Sequence, residues 1–145
     1  MTIRMDNMGI LVEDLDAAIE FFTALGLELE GRGMVEGEWA GRVTGLIGQR
    51  VEIAMLRTPS GQGKLELSRF LEPAVVADHR TAPVNALGYL RVMFEVDDLD
   101  AALDRLNRFG AELVSAEVVR FEDVYRLCYI RGPEGILIGL AEEIA

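Results

Sequence analysis

The stretch NMGILVEDLDAAIEFFTALGLELE, residues 7–30, recurs at residues 91–114 as RVMFEVDDLDAALDRLNRFGAELV. At this offset of 84, nine of the 24 positions are identical, and several others are conservative exchanges. A repeat of this length marks a duplicated structural module, and two copies are too few for a solenoid. The sequence therefore predicts a protein built from two similar halves.

Each half shows the same order of local patterns. An alternating strand is followed by an amphipathic helix, for which Asp14 and Asp98 occupy the N-cap position. Gly26 and Gly110 are predicted to end the two helices, because glycine accepts the left-handed conformation found there. Three further strands complete each half. The predicted strands are residues 3–12, 27–31, 50–57 and 63–70, then 89–97, 111–118, 123–131 and 136–141.

This order gives two tandem β-α-β-β-β modules and an α+β fold class. We expect the first module over residues 1–70 and the second over residues 89–145. Residues 71–88 contain two prolines and little periodicity, and are predicted to form the linker.

The amino-acid composition argues against several classes of protein. Half of the 145 residues are hydrophobic, which is enough for a core, and the net charge is −11. The 14 basic residues are scattered among 25 acidic ones, which argues against a nucleic-acid partner. No apolar run approaches the roughly 18 residues of a membrane span, and the N-terminus does not resemble a signal peptide. We expect a cytoplasmic protein, and the single cysteine, Cys128, excludes an internal disulfide.

Several segments of the chain resemble one family, the vicinal oxygen chelate superfamily. This superfamily includes glyoxalase I, methylmalonyl-CoA epimerase, extradiol dioxygenases, and the bleomycin- and fosfomycin-resistance proteins. The resemblance covers essentially the whole chain and implies a cupped, mostly antiparallel sheet, a small-molecule ligand and a homodimer. The segments that carry it are MDNMGILVEDLDAAIEFF, LGLELEG, KLELSRF, VMFEVDDLDAALDRL and RGPEGILIGLAE.

Metal-dependent members of this superfamily place one ligand on the first strand and one on the last strand of each module. The matching positions here are Asn7 and Glu66 in the first module, and Arg91 and Gly139 in the second. Only Glu66 is an ordinary metal ligand, and a fixed arginine cation repels a divalent ion. The sole histidine, His79, lies in the predicted linker. We therefore expect neither a metal nor another cofactor.

Arg91 is predicted to anchor a carboxylate, phenolate or other anionic oxygen, with Asn7 and Glu66 as further polar contacts. The alternative is that Arg91 and Glu66 pair with each other and fill the space of a former metal. Gly139 is expected to leave extra room at the centre of the site. The predicted ligand-binding residues are Asn7, Trp39, Phe70, Arg91, Met93, Phe121 and Gly139.

Residues 31–50, GRGMVEGEWAGRVTGLIGQR, are predicted to form a long insertion between strands, and they contain the only tryptophan, Trp39. Long loops in compact domains often act as lids over a binding site. A dimer contact, or a helix that packs on the core, would also account for this segment.

Two principal functions fit these patterns. The first is a metal-free binder of a hydrophobic, anionic small molecule, resembling the bleomycin-resistance branch. The second is a lyase, epimerase or dioxygenase that uses Glu66 as a catalytic base or retains a degenerate metal site. A purely structural or partner-regulating role is the third alternative. The sequence leaves open whether any reaction is catalysed.

Overall fold

The chain folds into two compact units, the first ending at Ala77 and the second beginning at Asp78. They are seen in a computed structural model that describes residues 2–145. Both units combine helices with a mixed β-sheet, so the predicted α+β class is confirmed.

The first unit contains two helices and a four-stranded sheet. Strand β1 is parallel to β4, and the β2–β3 and β3–β4 pairs are antiparallel, which gives the order β1-β4-β3-β2. Its elements are β1 (Met8–Leu11), α1 (Leu15–Leu25), β2 (Glu28–Glu36), α2 (Glu38–Thr44), β3 (Arg50–Arg57) and β4 (Lys64–Glu72).

The second unit repeats this arrangement. Strand β5 is parallel to β9, which pairs antiparallel with β8, and the short strands β6 and β7 both pair with β8. Its elements are β5 (Arg91–Glu95), α3 (Leu99–Asn107), β6 (Glu112–Leu113), β7 (Val119–Phe121), β8 (Tyr125–Arg131), a 3-10 helix (Pro133–Gly135) and β9 (Leu137–Glu143).

The helices α1 and α3 begin at the predicted caps. Asp14 Oδ1 accepts a hydrogen bond from the backbone N–H of Ala17 at 3.0 Å. Asp98 Oδ1 accepts the equivalent bond from Ala101 at 3.0 Å. These bonds satisfy backbone donors that the first turn of a helix leaves without an intrahelical partner.

Each unit buries the apolar stripe of its helix against one face of its sheet. In the first unit the buried side chains of α1 are Leu15, Ala18, Phe21, Phe22 and Leu25, and those of β3 and β4 include Ala54, Leu56, Leu65 and Leu67. In the second unit they are Leu99, Ala102 and Leu106 of α3, with Cys128, Ile130, Ile138 and Leu140 of the sheet. The other face of each sheet is therefore not covered by α1 or α3.

The structure differs from the predicted elements mainly at residues 31–50. Strand β2 continues to Glu36, and helix α2 follows almost directly, so most of the predicted loop is regular structure. Glycines at positions 31 and 33 interrupt the apolar alternation that would have marked the longer strand. In the second unit the predicted strand 111–118 is instead a two-residue strand, β6, with β7 starting only at Val119.

Residues 78–90 pack against the rest of the second unit, although they carry no helix or strand. The Tyr89 hydroxyl donates to the backbone oxygen of Gly135, and Arg131 Nη2 donates to the oxygen of Ala82 at 2.6 Å. Arg80 lies 3.8 Å from the Glu134 carboxylate. Part of the predicted linker is thus held on the β8–β9 connection.

No helix within residues 2–145 combines the length and the apolar character that crossing a membrane requires.

Candidate functional site

The sheet face of the first unit that points away from α1 carries Glu66. In β4 the flanking Leu65 and Leu67 are buried beneath the helix, so Glu66 projects to the opposite side. Glu66 is opposite Gly9 of β1 and Met55 of β3. Directly opposed residues share a face, which places Glu66 between a glycine and a methionine.

The Glu66 carboxylate is half-buried and has no hydrogen-bond or ion-pair partner among the residues that the structure describes. The nearest cation on its own face of β4, Lys64, pairs instead with Glu30 at 3.4 Å. A side-chain carboxylate without a protein partner is available to accept a hydrogen bond from a ligand.

The other predicted residues of this unit occupy different places. Asn7 lies immediately before β1, and its Nδ2 donates to Asp6 Oδ2 at 2.8 Å. Phe70 shares the face of Glu66, four residues further along β4. Trp39 lies on α2 with 60% of its surface exposed. The structure therefore places Glu66 and Phe70 on one sheet face, and Trp39 on a separate element.

The matching face of the second unit has the same register. Gly139 of β9 is opposite Met93 of β5 and Tyr129 of β8, as Glu66 is opposite Gly9 and Met55. On the same strands, Leu137 of β9 is opposite Arg91 of β5 and Arg131 of β8. This pairing gives Gly139 the position in its sheet that Glu66 has in the first unit.

Arg91 is held by Tyr129. Its Nη1 donates a hydrogen bond to the Tyr129 hydroxyl, and its guanidinium carbon lies 4.8 Å from the centre of the Tyr129 ring. Within residues 78–145 no carboxylate lies within ion-pair distance of Arg91. Stacking on an aromatic ring orients a guanidinium while leaving its positive charge uncompensated. This arrangement suits an anion from solution.

The expected free space at Gly139 is absent. A Cβ atom at this position would lie 2.9 Å from Met93 Cγ and 3.1 Å from Met93 Sδ. The prediction of extra room is therefore wrong, because the flexible side chain of Met93 occupies the space that glycine vacates.

Phe121 lies on the same sheet face as Tyr129 but at a distance from Arg91. It is opposite Tyr125, four residues before Tyr129 on β8, or about 13 Å along the strand. Phe121 is 54% exposed. The second unit thus brings Arg91, Met93 and Gly139 onto adjacent strands and leaves Phe121 at the far end of the face.

Three functional candidates escaped the sequence analysis: Tyr129, Arg131 and Tyr89. Arg131 Nη1 donates to the Tyr89 hydroxyl at 3.0 Å, and the Tyr89 ring stacks 6.0 Å from that of His79. Alternation along β8 already placed Tyr129 on one face, but only the strand order brings it beside Arg91. His79 belongs to residues 78–90, which pack against the rest of the second unit.

The described residues, 2–145, contain no group of three or more His, Cys, Asp or Glu side chains arranged to hold a metal ion. The donor set explains this result, since Arg91 is a cation, Gly139 lacks a side chain, and the amide of Asn7 bonds Asp6. Cys128 is buried, and burial raises the pKa of its thiol. The thiol is therefore a poor nucleophile near neutral pH.

Comparison with known proteins supports the resemblance. A model of the glyoxalase/bleomycin resistance protein/dioxygenase superfamily matches residues 6–129. The crystal structure of a glyoxalase family protein from Bacillus cereus is 67% identical, with a TM-score of 0.96, and the match covers 100% of this chain and 97% of that one.

More distant proteins match over nearly the whole chain. The uncharacterized protein YwbC of Bacillus subtilis (strain 168) is 26% identical over 137 residues, 93% of this chain and 94% of its own. The fosfomycin resistance protein FosX of Listeria monocytogenes was solved as a mutant with Mn(II) and 1S,2S-dihydroxypropylphosphonic acid. It has a TM-score of 0.62 at 13% identity and covers 97% of this chain and 90% of its own, which shows similarity of fold alone.

Proposed function

Because this chain belongs to the glyoxalase/bleomycin resistance protein/dioxygenase superfamily, we propose that it binds a hydrophobic, anionic small molecule without a metal ion. The observation that carries this proposal is the position of Arg91. Arg91 stands where the resemblance expects a metal ligand, and it is stacked on Tyr129 with no carboxylate in its own unit to neutralise it.

The residues around Arg91 suit the hydrophobic part of such a ligand. Met93 is 42% exposed on the same face, and Leu137 is buried between Arg91 and Arg131. A ligand whose anionic group is bound by Arg91 would therefore place its carbon skeleton against the Met93 side chain. Methionine is adaptable and polarisable, which suits contact with flat rings.

The proposal is tested with a hydrophobic anion, 8-anilinonaphthalene-1-sulfonate, whose fluorescence reports binding. A charge-assisted hydrogen bond contributes about 1.5–3 kcal/mol, so Arg91→Met should weaken binding about 10- to 150-fold. Arg91→Lys should recover only part of the loss, because an ammonium lacks the planar donor fork. Circular dichroism must show a native fold in every variant, since this dye also binds molten globules.

Arg108→Met is the matched control. Arg108 follows α3 and is exposed, so its replacement removes the same charge without touching the Arg91 face. Equal loss of dye affinity in the two variants would show a general charge effect and contradict the proposal. Unchanged affinity in Arg91→Met would do the same.

A second function is favoured by the state of Glu66. A carboxylate with no protein partner can remove a proton from a carbon next to a carbonyl group, which is the first step of an epimerase or isomerase. Phenylpyruvate is a suitable probe, because it combines an aromatic ring, a carboxylate and acidic C–H bonds. Glu66-dependent deuterium exchange at that carbon, lost in Glu66→Gln, would establish catalysis. Deuterium exchange no faster than in buffer without the protein would contradict this second function.

We also propose a homodimer. Strand β2 is an edge strand of its sheet, and helix α2 beside it exposes Trp39 by 60% and Val43 by 77%. Ile47, just beyond α2, is 81% exposed. Clustered apolar groups at a sheet edge favour association with a second copy. A sedimentation mass near 16.0 kDa at micromolar concentration would contradict the dimer.

A further inference from the structure

Building on the proposed function, we propose that the first unit receives a planar ring over Gly9, and that an N–H or O–H group on this ring donates to Glu66. This inference names the chemical class of a ligand for the first unit: a flat, largely apolar ring system that carries a hydrogen-bond donor. It rests on two observations that are independent of Arg91.

The first observation is the open space at Gly9. A Cβ atom at this position would meet no atom within 4 Å. The backbone does not require glycine there, because Gly9 has no positive φ and β1 pairs with β4 without a register shift. Glycine inside a strand weakens it, and such a glycine often marks close approach of a ligand.

The second observation is the carboxylate beside this space. Glu66 is directly opposite Gly9, is half-buried, and has no hydrogen-bond or ion-pair partner within residues 2–145. Neighbouring strands are about 4.8 Å apart, so a group that covers Gly9 contacts the Glu66 side chain. The oxygens of this side chain accept hydrogen bonds, so a ligand that supplies a donor complements them.

The surroundings of Gly9 set the shape of the ligand. Leu11 lies on the same face of β1 and is 49% exposed, which provides an apolar wall. Asn7 precedes β1 at the other end of this stretch. The distance from Asn7 to Leu11 along the strand is about 13 Å, which accommodates a fused ring system lying against the backbone.

The test uses N-phenyl-1-naphthylamine, a fluorescent probe with flat rings, one N–H donor and no charge. Gly9→Val fills the open space and should weaken its binding at least 10-fold. Glu66→Leu removes the acceptor and should also weaken binding about 10-fold or more, since the lost hydrogen bond is made to a charged group. Neither change should lower the Tm by weakening the strand that carries it, because valine favours a strand and leucine fits a half-buried position.

Gly33→Val is the matched control. Gly33 lies on the face of Glu66, because it is opposite Ile53, which in turn is opposite Ser68. It also has no atom within 4 Å of an added Cβ, but it belongs to the opposite edge of the sheet, about 14 Å from β1. This variant should bind the probe within two-fold of the wild type.

Failure of this inference can be distinguished from failure of the proposed function. The neutral probe lacks the sulfonate of 8-anilinonaphthalene-1-sulfonate, so Arg91→Met should weaken binding of the anion and leave the neutral probe unaffected. Absence of neutral-probe binding, or unchanged affinity in Gly9→Val, would overturn the ring site. Stronger loss in Gly33→Val than in Gly9→Val would overturn it as well.

Discussion

A Cβ atom on Gly135 would overlap the backbone oxygen of Arg80 and lie 2.5 Å from its Cα. The backbone of Gly135 also has φ = +77°, a conformation that residues with side chains rarely adopt. Its carbonyl oxygen accepts the hydrogen bond from Tyr89. Glycine at this position therefore allows residues 78–90 to lie directly on the connection between β8 and β9.

Gly135→Ala should destabilise the protein by about 2–5 kcal/mol, since left-handed strain and overpacking against backbone atoms add together. Gly61→Ala is the control, because Gly61 has nearly the same φ, +76°, with no atom within 4 Å of an added Cβ. It should cost only about 1–2 kcal/mol. Urea unfolding of both variants measures the difference, and equal losses would show that the contact with Arg80 contributes nothing.

Asp14→Ala and Asp98→Ala should each destabilise the protein by about 1 kcal/mol, because each removes the acceptor for the first turn of a helix. Asp14→Ser and Asp98→Ser should retain most of the stability, since a serine hydroxyl accepts the same bond. Thermal unfolding followed by circular dichroism checks both pairs. An alanine variant as stable as its serine counterpart would argue against a capping role.

Acid should weaken the contact between α3 and β8. Hydrogen bonds from Arg126 lower the pKa of Asp100, at distances of 2.9 and 3.1 Å. A carboxyl group whose pKa is lower in the folded state stabilises the fold at pH values above its pKa in the unfolded state, about 3.9. This stabilisation is lost as the pH falls through the pKa of the folded state. The wild type should therefore have a higher Tm than Asp100→Asn at pH 7, and this difference should be smaller at about pH 3, below the unfolded value.

Asp104→Asn serves as the control for this pH dependence. Asp104 lies on the same helix, and its carboxylate is exposed and has no ion-pair partner among residues 2–145. Its replacement should leave the Tm nearly unchanged at both pH values. A wild-type advantage over Asp100→Asn that persists undiminished in acid would mean that the ion pair with Arg126 does not produce it.

Protein purified without chelator should contain well under one equivalent of Zn, Ni, Mn or Fe. The reason is the donor set, in which Arg91 and Gly139 offer no ligand and Glu66 is the only ordinary one. Elemental analysis by mass spectrometry measures the content. A stoichiometric metal that is lost in Glu66→Gln would refute this expectation, as would an activity that a chelator removes and a divalent ion restores.

Much of the architecture could be read from local patterns. The repeat, the caps at Asp14 and Asp98, and the alternation along each strand depend on residues close together in the chain. The resemblance placed Glu66 and Gly139 at matching positions of the two modules, and the strand registers give both residues the same place in their sheets. Local spacing was sufficient because both modules repeat one hydrogen-bonding register.

The surroundings of the candidate residues could not be read in this way. The contact between Arg91 and Tyr129 depends on β9 lying between their strands, and the space at Gly139 depends on the rotamer of Met93. The length of β2 was hidden by its glycines, which carry no hydropathy signal.

The sequence by itself determined the two-module plan, the α+β class and the absence of ordinary ligands at three of the four metal positions. Only the tertiary structure decided that Tyr129 positions Arg91, that Glu66 has no partner among residues 2–145, and that residues 78–90 pack against β8 and the β8–β9 connection. The physical reason is distance along the chain: caps and strand alternation involve neighbours within a few residues, whereas these contacts join residues 38 to 49 positions apart, as Arg91 with Tyr129 and Ala82 with Arg131.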